Sequence, residues 1–66
     1  MKYYPRLRNL REDNEKTQGE LAALLGTTQQ QYSKYEKGIQ EIPVHHLLTL
    51  ADFYKVSVDY LLGRDS

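Results

Sequence analysis

Sixty-six residues without a cysteine describe one small domain with no disulfide framework, and a zinc site would have only histidine and carboxylate to draw on. No apolar run reaches the length of a membrane span and no hydrophobic segment follows the charged start, so the expected setting is cytoplasmic, with neither anchor nor secretion signal. Nine Lys/Arg balance nine Asp/Glu, but residues 1–37 hold seven basic and five acidic side chains and residues 38–66 two and four, which permits a basic face on the N-terminal side.

In chain order, Pro5 suits the first position of a helix that runs to about residue 14, with Leu7, Leu10 and either Tyr3 or Tyr4 as its apolar stripe. Arg6, Arg8, Glu12 and Asp13 lie mostly off that stripe, and Arg8 with Glu12 forms an exposed i,i+4 pair. Thr17 and Glu20 have capping-box spacing and open a helix over 18–25, which offers Leu21, Ala22, Leu24 and Leu25 for packing and stops at Gly26. Thr28 and Gln31 repeat the spacing and open a third helix over 29–37. Its Tyr32 and Tyr35 share the inner face, and Gly38 ends it.

Residues 38–42 read as a loop with Ile39 tucked against the core. A fourth helix follows Pro43, over about 44–53, with Leu47, Leu50, Ala51 and Tyr54 at i, i+3, i+4, i+7. Ser57 caps a short last helix carrying Val58, Leu61 and Leu62, with Asp59 in its first turn and Gly63 at its end. The expectation is all-α: five short helices around one core, with no linker or second domain.

The stretch TQGELAALLGTTQQQYSKYEK, residues 17–37, organises the rest. Two capped helices meet there across three residues, the arrangement of a helix-turn-helix with the second helix exposed. A glutamine can donate and accept at once, matching N6 and N7 of adenine in the major groove, which admits an α-helix. Gln29 and Gln30 sit on the outer arc just after the turn and are candidates for base contact; ordinary surface polarity is the alternative. Gln31 occupies the reciprocal capping slot and is read as structural, as is the cap Thr28. Lys34, Ser33 and Lys37 follow on the same surface, where base and hydroxyl side chains fix register on phosphates. Gln18 lies in the first turn of the second helix, where free N–H groups attract an anion. Thr17 is first a cap and second a phosphate contact.

This pattern resembles the XRE family of phage repressors and Cro-like regulators over about residues 4–63. TQGELAALLG, TTQQQYSKYEKG and the closing SVDYLLG carry the likeness together. The resemblance implies a repressor that binds a pseudo-palindromic double-stranded DNA operator as a homodimer, self-associating weakly when free. It implies base contacts from Gln29 and Gln30, a backbone contact from Gln18, and a largely buried ion pair between Arg11 and Glu36, with Arg11 also able to reach a phosphate. Three features depart from the family pattern. Lys34 replaces a further glutamine, which alters the third base contact. The loop after the third helix, Gln40, Glu41 and Ile42, is not basic. Lys16 replaces a leucine, so its stem should cover the core while its amine reaches water.

No catalytic constellation, Gly-rich phosphate loop, cofactor motif or small-molecule site is evident. His45 and His46 point about 100° apart on a helix and have no third partner, which argues against a metal; one half-covering the core edge and one in solvent is the simpler arrangement. The competing function is a protein-interaction module of the same fold, for example a toxin-neutralising partner, favoured by the neutral charge. RNA binding lacks an aromatic sheet or basic groove. Leu61 and Leu62 of the last helix are the candidate dimer contact, against a reading that buries both in the core.

Overall fold

In the computed structural model, which describes residues 4–64, the second, third and fifth helices begin at side-chain caps and end at glycines. α1, Pro5–Asp13, starts on Pro5 and closes at Asn14, whose side-chain amide donates to the Leu10 carbonyl at 2.7 Å. α2, Gln18–Leu25, has the full capping box: Thr17 Oγ1 accepts from the Glu20 N–H at 3.1 Å, and Glu20 Oε1 accepts from the Thr17 N–H at 3.2 Å. α3, Gln29–Lys37, starts on Thr28, whose Oγ1 accepts from the Gln31 N–H at 3.0 Å. α4 is Val44–Tyr54, and α5, Val58–Leu62, is capped by Ser57. Gly26 and Gly38, at φ 71 and 75, supply the left-handed residues that stop α2 and α3, a conformation that costs other residues more.

The α3 cap differs from the expected reciprocal box. The Gln31 carboxamide turns away from the cap and donates to Gln40 Oε1 at 2.7 Å, so it ties the following loop to the helix. Gln40 lies nine positions on, in the loop after α3, a partner that no local capping spacing announces.

Leu7, Leu21, Tyr32, Leu50 and Leu61 are fully buried and define the centre, with Ala22, Leu25, Tyr35, Ile42, Leu47 and Ala51 around them. Tyr4, Leu10, Tyr54, Val56, Val58 and Leu62 cover its margin; Tyr3 lies outside the described residues. Each fully buried leucine removes enough apolar surface from water to contribute roughly 1.5–3 kcal/mol.

Two expected packing residues face the other way. Ile39 is 54% exposed, and Ile42, three residues on, fills the core in its place at 4%. The backbone leaves Gly38 in the left-handed turn and carries Ile39 outward before returning toward α4. Leu24 is 41% exposed; it lies about 60° from Leu21 on the side away from Ala22 and Leu25, so the burial of those three turns it to the rim. In α5, Leu61 is buried and Leu62 packs on the core edge, whereas Val44 and Leu48 of α4 stand exposed. The free apolar surface is therefore larger on α4 than on α5.

Arg6 is more than a solvated side chain. Its guanidinium lies 4.2 Å above the centre of the Tyr60 ring and donates to the Tyr60 carbonyl at 2.9 Å, pinning α5 to α1. Among the described residues, no helix is long and apolar enough to cross a membrane.

Candidate nucleic-acid interface

α2 and α3 are fixed by their caps, by the three-residue turn at Gly26 and by Leu21, Leu25, Tyr32 and Tyr35 beneath them. The tyrosine rings meet edge-to-face with centres 6.5 Å apart, a favoured aromatic geometry. With that face buried, the opposite arc of α3 stays in solvent, and it borders a cleft of about 720 Å³ lined by Gln18, Thr28, Gln29, Gln30, Ser33, Lys34, Lys37 and Ile39. All three candidate base-contacting side chains, Gln29, Gln30 and Lys34, lie in it. Lys34 and Lys37 are both in the last turn of α3.

A second concavity adjoins the first and is lined by Arg8, Arg11, Gln18, Ser33, Glu36 and Lys37. Gln18, Ser33 and Lys37 border both. The candidate phosphate-contacting residues therefore run along one edge of the candidate base-contacting surface, except Thr17. That hydroxyl accepts from the Glu20 N–H and donates to Glu20 Oε1 at 3.2 Å, which commits it to the cap.

Behind this edge sits a charged network. Arg11 Nε donates to Glu36 Oε2 at 2.7 Å and its terminal nitrogens to Glu36 Oε1 at 3.2 Å and the Lys16 carbonyl at 3.0 Å. The side chains are only 12% and 3% exposed. Gln18 Nε2 donates to the same Glu36 Oε1 at 3.0 Å. Burial alone would raise the Glu36 pKa, but the hydrogen bonds from Arg11 and Gln18, helped by the nearby Tyr32 hydroxyl, outweigh it and hold the carboxyl below its ordinary value. The hydrogen bond to Glu36 in turn raises the Arg11 pKa. Burial and the charge of Glu36 push the Tyr32 hydroxyl well above its usual range, and burial pushes Tyr54 up to about 12.

The Gln18–Glu36 bond spans α2 and α3 and was not foreseen from sequence; two residues eighteen positions apart carry no local signal of contact. It leaves Gln18 one amide hydrogen free beside the first N–H groups of α2, and an anion there would meet both. Arg11, by contrast, directs three of its five guanidinium N–H groups into the protein. The Lys16 amine pairs loosely with Glu20 at 3.9 Å. Glu41 stands exposed in the loop after α3.

Among the described residues, no group of three His, Cys, Asp or Glu side chains is placed to hold a metal. His45 is exposed and His46 buried, its ring 5.9 Å from that of Tyr35. Burial, reinforced by His45, lowers the His46 pKa.

A capped helix pair meeting across a glycine turn, with the outer face of the second helix polar and open, defines a helix-turn-helix domain. Residues 7–61 match the helix-turn-helix family, and the chain belongs to it, among its phage-repressor-like, XRE/Cro-type members. It is 41% identical over 61 residues to the uncharacterized HTH-type transcriptional regulator YobD of Bacillus subtilis, covering 92% of this chain and 54% of that protein. It is 38% identical over 64 residues to the cryptic phage CTXphi transcriptional repressor RstR of Vibrio cholerae, covering 97% and 57%. The chain thus spans about half the length of these curated relatives. Among solved structures it resembles the P22 c2 repressor in complex with synthetic operator 9T, with a TM-score of 0.80, 30% identity and 91% of each chain covered.

Proposed function

We propose that this chain is the sequence-specific DNA-binding part of a transcriptional regulator, a repressor by class, that places α3 in the major groove of duplex DNA. The observation that carries the reading is the cleft along α3, where Gln29, Gln30 and Lys34 stand together with Gln18, Ser33 and Lys37 along one side. Amides at the start of a recognition helix meet base edges; hydroxyl, amine and α2 N–H groups beside them meet phosphates and set the register. Support comes also from the likeness to a repressor solved on operator DNA. The operator is a pseudo-palindrome bound by two copies, each α3 entering the groove one turn, about 34–36 Å, from its partner. The setting is cytoplasmic, where such DNA is reached.

Arg11 supports the site from behind: it fixes Glu36, which orients Gln18. Free Arg11 donors toward a phosphate are secondary to that role, and Thr17 contributes by capping α2.

Duplex binding measured over a range of salt concentrations tests the reading. Counterion release makes log K fall with log salt by roughly 0.9 for each phosphate neutralised on B-DNA. A steep linear decrease is expected. No duplex binding at low salt, at concentrations that allow two copies to assemble, would instead favour a protein-interaction module.

A further inference from the structure

Gly19 is the second residue of α2, a helical position where glycine is the least favourable choice other than proline. Its backbone does not require glycine: the left-handed glycines are Gly26, Gly38 and Gly63, and Gly19 is not among them. The space above it bears on the choice instead. A Cβ at Gly19 would stand 3.3 Å from Gln29 Oε1, 4.0 Å from Gln29 Cδ and 3.8 Å from Thr17 Oγ1. The Gln29 carboxamide therefore lies back over the first turn of α2, in room that exists because residue 19 has no side chain.

We propose that Gly19 is a specificity-determining position that acts through Gln29: by omitting a methyl group it lets the Gln29 amide rest against α2, and so sets the side from which that amide meets a base. The inference deepens the proposed DNA reading and rests on Gln29 contacting base edges. A methyl carbon 3.3 Å from that oxygen is tighter than an ordinary contact, so a neighbour must give by a few tenths of an ångström. Thr17 is held in its capping box and the helices are fixed by the core beneath, whereas Gln29 is exposed and free to change rotamer. The amide is thus the part that moves. Displacing it changes the donor and acceptor positions offered to one base pair, while Gln30, which is not among the atoms nearest Gly19, keeps its place.

The test is Gly19→Ala, studied alone and with Gln29→Ala, by binding to an operator selected by the parent protein from a random duplex library and to its single-base variants. Gln29→Ala first identifies the base pair that Gln29 reads. Gly19→Ala should keep or raise the denaturation midpoint, since alanine favours the helix. It should change discrimination at that base pair by about fivefold or more, the lower end of what one good bidentate contact provides. Discrimination at the Gln30 position should stay the same, and in the Gln29→Ala background the alanine should have no further effect on base preference. Unchanged discrimination in Gly19→Ala, or an equal loss at every base pair, would overturn the role of Gly19. If Gln29→Ala itself leaves base preference untouched, base reading by Gln29 fails and the role of Gly19 with it; if only Gly19→Ala is silent, the Gln29 reading stands alone.

Discussion

Removing either partner of the Arg11–Glu36 pair should nearly unfold the domain. The pair is bidentate, at 2.7 and 3.2 Å, and its side chains are 12% and 3% exposed. Attraction in such a place is offset by the cost of taking both ions out of water, so the pair's net contribution to stability is small. Breaking it is another matter, because the surviving charge stays buried without its counterion. That typically costs about 3–5 kcal/mol. A single-core domain below about 70–80 residues rarely has more than roughly 3–5 kcal/mol of net stability. Glu36→Ala leaves Arg11 only the Lys16 carbonyl and also takes the acceptor from Gln18; Arg11→Ala leaves Glu36 the Gln18 amide and the nearby Tyr32 hydroxyl but no counterion. Each variant should therefore show a sharply reduced helical signal at 25 °C, or a urea midpoint close to zero. The double variant strands no charge and should be more stable than the sum of the single losses implies. Circular dichroism during urea titration of parent, singles and double closes the cycle. Additivity within about 0.3–0.5 kcal/mol would refute the argument, since that is the behaviour of independent sites.

Tyr32→Ala should cost about 3–5 kcal/mol, because the residue is fully buried; an unchanged denaturation midpoint would mean that the other face of α3 packs inward. Stability should also decline in acid. The folded pKa values of His46 and Glu36 are both depressed, so the unfolded chain binds more protons as pH falls. The His46 contribution is present at neutral pH and is lost from about pH 6.5 downward, that of Glu36 from about pH 4.5 downward. Urea midpoints followed from neutral pH to about pH 3 check this; His46→Phe should remove the upper part of the decline, and a flat profile would contradict the burial argument.

Helix boundaries were legible in the sequence because their causes are local. Thr17, Thr28 and Ser57 cap the chain from within three residues, and the glycines at 26, 38 and 63 end helices by their own backbone freedom. The inner face of α3 was legible from the spacing of two tyrosines. Ile39 and Ile42 were not distinguishable, since no period extends through a five-residue loop and the core selects whichever isoleucine the returning chain presents. Leu24 was misplaced because five apolar residues on an eight-residue helix exceed what one face can bury. At the candidate site the residue types were visible but their neighbours were not. The Gln18–Glu36 bond and the Gln29 amide over Gly19 both join α2 to α3, and only the angle between the helices creates them.

Selection of bound sequences from a random duplex library, repeated for Gln29→Ala, Gln30→Ala and Gln18→Ala, tests the central claim most directly. The parent should recover two symmetric half-sites spaced by one turn of DNA. Gln29→Ala and Gln30→Ala should fold normally and each lose discrimination at a different position in both half-sites, by roughly 1–3 kcal/mol per site. Gln18→Ala should weaken all sequences alike, as removal of a phosphate contact does. Full retention of the parent's base preference by both Gln29→Ala and Gln30→Ala would contradict the account, leaving the glutamines as surface polarity and α3 as a helix that does not read DNA.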